Sequence, residues 1–487
     1  MLLSLGLFLA PLAWQEAPPE HASPDLRYQL GLRVRQMEIA FESAKTKPKL
    51  RRASLDAIER SVSSFFALDL PGAAQALDEA RGILEGREDS AYDCLAVTPN
   101  AWILEPGDSY RLTISQIYSA ELPQPLSVRI LRPKLEFEVE SLPYTHDFGP
   151  ITLPEHPTGT RGEWYGFQFG SQSTFSTASP EVIPAARARA RAAQSLRRES
   201  IDTLAPWVAA TTRMHLEFLS QMLRGSLLET RLPGELFLHR TEELLEADQD
   251  ALQERGALTR WARENEDSSL RLRSGALRGQ EWIALPSEAG RQVVRVQIPR
   301  APREGRPPLV IALHGMGGSE NMFFDGYGNG KAASLARTKG WFLAAPRIGA
   351  GFDLVATTQQ LLHLLDADPQ RVFLIGHSMG AAQAIAAAHR LKQAQVPVSG
   401  MMLIGGGRTA SEGATLDALL ELPLFIQPGV RDFARPGAVA LIEQLEAAGH
   451  PRLTHRIVPD CEHLTVVQVA LDQCFEWMQW LLDQRTE

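Results

Sequence analysis

The sequence predicts an α/β protein in which residues 281–487 form a mostly parallel sheet covered by helices, preceded by helical segments and a small β-sandwich-like domain. Three observations carry that expectation. From about residue 281 short apolar runs alternate with helix-periodic segments to the end of the chain. Between 94 and 180 apolar residues recur at every second position, the period of a half-buried strand. The flanking stretches, 25–90 and 181–275, repeat their apolar residues at helical spacing.

Taken in order, the chain opens on MLLSLGLFLAPLAWQEAPPE, whose apolar run from Leu2 to Ala13 is too short to span a bilayer and matches a secretory h-region. We read 1–20 as a signal peptide, with cleavage after Ala13 or Ala17, although no Lys or Arg precedes the run. An uncleaved anchor is the alternative. Export places the protein outside the cell, in the periplasm or in the cell envelope, with no membrane span expected beyond that segment.

Residues 21–90 read as a helical hairpin or three-helix unit: LRRASLDAIERSVSSFFALDL is amphipathic, and PGAAQALDEARGILEG has a proline placed to begin a helix. In 91–180, LEFEVESL sets Leu135, Phe137 and Val139 on one face against Glu136, Glu138 and Glu140, and SYRLTISQIY and PLSVRILRP alternate likewise. The helical region 181–280 opens with ARARARAAQSLRRES; its arginines fan around a helix and acidic residues follow, so a solvated face is expected in preference to a nucleic-acid patch.

EWIALPSEAGRQVVRVQIPR then reads as a β-hairpin, and the strands expected after it are 309–313, 341–345, 372–375, 401–404, 422–427 and 453–458. Helices over 331–338, 354–365, 381–391, 434–447 and 464–482 lie between them. Ligands bind such sheets at the C-terminal ends of the strands.

One motif sits at such an end. GHSMG, residues 376–380, fits G-x-S-x-G, where glycines allow a sharp strand-to-helix turn that exposes the serine. The apolar run before Ser378 and the Ala-rich helix after it are the required context. A serine hydroxyl is a weak nucleophile unless a base takes its proton, and the base needs a carboxylate to orient it. In LPLFIQPGVRDF, Asp432 falls just past a strand; its rivals Asp417 and Glu421 precede that strand, and Asp460 lies beside the histidine loop. In VPDCEHLTVVQ, His463 lies between the last strand and a long helix, whereas His455 sits inside a strand and His450 at a turn.

A developing oxyanion needs backbone N–H donors. Met379, after the serine, supplies one; the turn His314-Gly315-Met316 in LVIALHGMGGSEN can supply the second, with His314 itself read as a turn-stabilising side chain. His314 and Gly315, with Phe324 and Tyr327 of the loop FFDGYGNGK, are the expected substrate contacts.

LHGMGG, WFLAAPR, DADPQRVFLIGHSMGAAQA, Asp432 and His463, in this order, resemble the α/β-hydrolase fold, and within it secreted esterases of the feruloyl esterase, polyhydroxybutyrate depolymerase and dienelactone hydrolase type. The resemblance covers residues 281–487 only. It implies Ser378 as nucleophile, Asp432 as acid, His463 as base, and Met316 with Met379 as oxyanion donors. AAPR lacks the Asp-Gly continuation frequent in that family, and GHSMGA has alanine where a third glycine is common; both leave the substrate subclass open.

The expected activity is therefore hydrolysis of carboxylic esters, small or polymeric, through an acyl-enzyme, with no metal or organic cofactor. The short stretch between Met401 and Pro423 leaves little room for a helical cap, which suggests an open site. A prolyl-oligopeptidase-type peptidase would share the order Ser, Asp, His, but its usual propeller would show blade-length repeats, and none is seen. An inert cell-envelope scaffold would have no chemical need for all three residues. A formal charge of −9 from 49 basic and 58 acidic residues argues against nucleic-acid binding. The cysteines, Cys94, Cys461 and Cys474, show neither disulfide nor metal spacing.

Overall fold

The structure is a computed structural model that describes residues 26–88, 90–130, 135–151, 164–169, 173–178, 181–224, 233–266, 277–300, 305–410 and 413–484. The stretch read as a signal peptide lies outside these residues. No helix among them is long and apolar enough to cross a membrane.

Three helices come first: α1 (Leu26–Ser43), α2 (Pro48–Phe66) and α3 (Leu70–Glu85). Pro48 begins α2, and Asp69 caps α3 by accepting from the Gly72 N–H at 3.0 Å. Among the described residues nine short strands follow: β1 (Leu95–Pro99), β2 (Ile103–Leu104), β3 (Ser109–Gln116), β4 (Leu126–Ile130), β5 (Leu135–Val139), β6 (Tyr144–Pro150), β7 (Trp164–Phe169), β8 (Ser173–Ala178) and β9 (Glu181–Val182). They make sheets ordered β1-β3-β6 and β5-β4-β7-β8, with a small β2-β9 pair. Leu112 and Ile114 of one sheet pack with Val128 and Ile130 of the other, so the two share an apolar interior in the manner of a sandwich.

The Arg-rich segment forms the helix Ala186–Ser200, and two of its cations, Arg187 and Arg189, pair with carboxylates of the chain. Arg187 bonds Glu105 at 2.7 Å and Asp108 at 2.7 Å, and Arg189 reaches Glu242 at 2.8 Å. The helices Pro206–Leu223 and Gly234–Glu246 then cover the edge of the large sheet, with Phe237 meeting Trp282 edge to face.

That sheet runs β10 (Gln280–Ser287), β11 (Gly290–Gln297), β12 (Leu309–Leu313), β13 (Phe342–Pro346), β14 (Val372–His377), β15 (Val398–Ile404), β16 (Leu424–Gln427) and β17 (Leu453–His455). Their spatial order is β10-β11-β13-β12-β14-β15-β16-β17. β10 and β11 are antiparallel, and the pairings from β13 through β17 are parallel. The central strands are buried on both faces, which is why their sequences are unbroken apolar runs.

Alternate residues face two different interiors. Leu309, Ile311 and Leu313 pack with Ala381, Ala384 and Ile385 of the helix Met379–Gln393. Val310 and Ala312 pack on the other face with the helices Tyr327–Lys339 and Val466–Asp483, and with Met37, Phe41, Ile58 and Leu77 of the first three helices. The N-terminal helices thus share one core with the large sheet. Sequence periodicity could not show this, because it reports that a face is apolar and not what covers it. All three cysteines are free and buried.

Candidate functional site

β12 lies between β13 and β14, so the chain reverses its direction of travel across the sheet there, and the ends of β12 and β14 flank a crevice. Ser378 follows β14 directly, at φ 52° and ψ −114°, a backbone geometry that costs a non-glycine residue about 1–3 kcal/mol. The glycines on either side make the turn possible. A Cβ on Gly380 would sit 2.1 Å from Leu313 O, and one on Gly376 would sit 2.6 Å from Ala381 N. Ser378 stands at the N-terminus of the helix Met379–Gln393, where the aligned peptide dipoles favour negative charge.

Two loops bring the partners. Asp432 follows β16, and His463 lies between β17 and the helix Val466–Asp483. The loops are joined by backbone bonds from Val430 N to Val458 O at 2.9 Å and from Arg431 N to Cys461 O at 3.0 Å. His463 Nε2 is 2.9 Å from Ser378 Oγ, and His463 Nδ1 is 2.8 Å from Asp432 Oδ1. Asp432 Oδ1 also accepts from the Ala434 N–H at 2.8 Å, which fixes the carboxylate. Asp432 and His463 are buried, while Ser378 is partly open. A hydroxyl, an imidazole and a buried carboxylate in this line can pass the serine proton to the imidazole and hold the resulting cation.

The rival residues are engaged elsewhere. Glu421 pairs with Lys392 at 2.6 Å, Asp460 faces Arg52 at 3.8 Å, and Asp417 lies on the helix Ala414–Leu420. His450 meets Leu419 O at 3.1 Å, and His455 meets Glu446 on the surface.

The turn after β12 lies against the serine: a Cβ on Gly315 would come within 3.3 Å of Ser378 Cβ. Among the described residues neither the Met316 nor the Met379 backbone N–H is bonded to a protein acceptor.

The four residues expected to touch substrate are buried instead. His314 Nδ1 bonds Gly315 O at 2.7 Å, and its Nε2 accepts from the Ile348 N–H at 2.8 Å, so it stabilises the turn. Burial lowers its pKa. Gly315 donates its N–H to Tyr327 Oη at 3.3 Å. Tyr327 turns inward to His377, and the Phe324 ring lies 4.6 Å from the buried Arg295 guanidinium. FFDGYGNGK is no open loop: a π-helical turn over Met322–Gly326 leads into the helix, with left-handed backbone at Gly328, Asn329 and Gly330. That turn pulls the aromatics into the core. Aromatic residues beside glycines read equally well as surface contacts or as core, and packing decided between them.

Several residues of the site carried no sequence signal. Gly406, after β15, lies so close that a Cβ would be 2.8 Å from Ser378 Cα. Glu462 is buried, which raises its pKa, and it accepts from the Leu464 and Thr465 N–H groups at 2.7 Å each, fixing the turn that carries His463. The Phe433 ring lies tilted against that of His463, with centroids 4.1 Å apart. Only the IGGG run hinted at close backbone approach.

No family model and no curated protein matches this sequence. Solved structures resemble part of it. A ferulic acid esterase is 16% identical, covering 42% of this chain and 98% of its own at a TM-score of 0.36. The S-formylglutathione hydrolase FrmB of Staphylococcus aureus is 14% identical over 41% of this chain and 98% of its own, with a TM-score of 0.35. The feruloyl esterase module of Clostridium thermocellum, solved with sinapinate, is 13% identical over 40% and 86%, with a TM-score of 0.34.

Proposed function

We propose that this protein is a serine hydrolase that cleaves carboxylic esters through an acyl-enzyme. The observation that carries the reading is the line Ser378 Oγ, His463 Nε2, His463 Nδ1 and Asp432 Oδ1, at 2.9 and 2.8 Å, on a serine with left-handed φ. In this mechanism Nε2 of His463 takes the Ser378 proton as Oγ attacks the ester carbonyl. The Nδ1–H bond to Asp432 holds the tautomer that leaves Nε2 free to accept. The Met316 and Met379 N–H groups stabilise the charge that develops on the carbonyl oxygen. His463 then returns the proton to the leaving alcohol, and water repeats the sequence on the acyl-enzyme.

Export of the chain to the cell envelope or beyond belongs to the same proposal, since its support is the apolar run from Leu2 to Ala13.

The test is labelling of the full-length protein with a fluorophosphonate and mapping of the modified peptide. Modification at Ser378 that vanishes in Ser378→Ala, together with turnover of simple esters, is the expected result. A folded protein that takes no label and turns over no ester would overturn the reading.

A further inference from the structure

We propose that the tip of α2 supplies the middle of an apolar arc on which the hydrocarbon part of the ester rests, an inference that depends on the ester-hydrolase reading above. The arc begins at the site itself. Phe433, one residue past Asp432, has its ring 4.1 Å from the His463 imidazole. Phe66 meets Phe433 edge to face at 5.7 Å, and Phe65 meets Phe66 in the same way at 5.7 Å. Phe65 lies directly over Gly317, where a Cβ would be 2.3 Å from Phe65 Cζ. Gly317 belongs to the same turn as Gly315, which abuts Ser378. The rings therefore run from the imidazole back to the loop beside the serine.

Apart from Phe65, which is half-buried against the core, the arc is open to solvent. Met316 is 59% exposed, Phe433 57%, Phe66 45% and Val430 42%, and Leu68 continues the surface past the end of α2 at 85%. Single exposed apolar residues need no explanation, but contiguous ones mark a surface that something covers. Here the contiguity leads to the serine and histidine, which makes substrate the occupant. Its chemistry follows from what the arc lacks. Along the line of rings Phe433, Phe66 and Phe65 present no charge, and the arginines beside Phe433 are engaged, Arg431 by Asp56 at 2.6 Å and Glu59 at 2.7 Å and Arg435 by the Val430 carbonyl at 3.0 Å. A neutral hydrocarbon suits such a surface, and a charged group would lose water with no partner in return.

Placement of α2 is not incidental. Leu55, Ala57 and Ile58 bury its other face in the core shared with the large sheet, and Arg431 ties its outer side to the loop that carries Asp432. Two parts of an ester can supply the hydrocarbon. The acyl group stays on Ser378, and the alcohol leaves past His463, beneath Phe433.

The experiment compares kcat/KM across p-nitrophenyl acetate, butyrate and octanoate, and across the acetates of ethanol, butanol and octanol. It uses the full-length protein, Phe66→Ser, Phe66→Leu, Phe433→Ser and, as a control, Trp480→Ser, an exposed aromatic on the last helix. In one series the longest chain is expected to outrun the shortest by roughly tenfold or more. Phe66→Ser and Phe433→Ser should each remove most of that ratio, while Phe66→Leu and Trp480→Ser keep it. Whether the acyl or the alcohol series shows the ratio tells which part of the ester lies on the arc.

Turnover without chain-length preference in either series, or a preference that survives in both serine variants, would overturn the arc and leave the ester-hydrolase reading standing. Absence of both turnover and fluorophosphonate labelling would overturn both.

Discussion

Tyr327 Oη lies 2.6 Å from Nδ1 of His377, the residue immediately before Ser378. The other ring nitrogen of His377 lies 3.0 Å from the backbone carbonyl of His463, and a carbonyl only accepts, so Nε2 carries the proton. Nδ1 then accepts, the Tyr327 hydroxyl donates to it, and the Tyr327 oxygen accepts from the Gly315 N–H at 3.3 Å. One buried phenol and one buried imidazole thus tie the turn after β12, the serine turn and the histidine loop together. Burial, with His463 close by, lowers the His377 pKa well below its ordinary value, which keeps the ring neutral and this pattern intact.

Tyr327→Phe deletes the donor and leaves the ring packed against Phe323. Steady-state kinetics on a p-nitrophenyl ester should show kcat down by about tenfold with KM little changed, because the loops that hold the reacting groups lose their tie. The unfolding free energy from urea denaturation should fall by no more than about 1–3 kcal/mol. Equal loss in kcat and in stability, or a change in KM alone, would speak against a positioning role.

Asp432→Asn should cost about 10³–10⁴ in kcat, since the amide presents the wrong tautomer of His463 to Ser378. Far-UV circular dichroism should match the parent protein. A variant retaining near-parental kcat would remove Asp432 from the mechanism.

Gly380→Ala should destabilise the fold by about 2 kcal/mol or more, because its Cβ would meet the Leu313 carbonyl oxygen at 2.1 Å and neither backbone can give way without disturbing β12. Chemical denaturation reads this directly. Gly449→Ala, at an open turn where a Cβ meets nothing within 4 Å, should cost only its left-handed backbone strain.

The Glu38 contribution to stability should fall as pH rises from about 5 to about 8, opposing the buried His215, His314 and His377, whose lowered pKa values add stability as pH rises through about 6.5. The Glu38 carboxyl of α1 accepts from the Gly328 N–H, but burial, with Glu462 nearby, pushes its pKa from 4.5 up to about 8. Between those values the native state holds a proton that the unfolded chain releases, so native binding exceeds unfolded binding and raising the pH favours unfolding. The full contribution is present below about 4.5 and gone above about 8. Glu462, also raised by burial, adds a slope of the same sign. The change in unfolding free energy between pH 5 and pH 9, read from urea denaturation, should differ by about 2–4 kcal/mol between the parent protein and Glu38→Gln. An unchanged slope in the variant would refute the assignment.

Local chemistry made much of the large sheet readable. Leu309–Leu313, Val372–Ile375 and Met401–Ile404 are apolar throughout because both faces of a central parallel strand are covered, and all three lie within strands of the structure. The serine turn was readable for a similarly local reason: two glycines and a small residue in sequence are what that backbone demands. Asp432 and His463 stood out from their rivals in the sequence because each falls in a loop after a strand, and the structure brings both to Ser378. The sequence also showed an amphipathic helical stretch in LRRASLDAIERSVSSFFALDL, residues 50–70, but amphipathicity is indifferent to partner. Only the tertiary structure decided that α2 lies across the large sheet with Phe65 and Phe66 beside the serine, and that Tyr327 turns inward to His377. The reason is physical: apolar burial carries no direction, so which faces meet is settled by the shape and register of the whole chain and not by any segment of it.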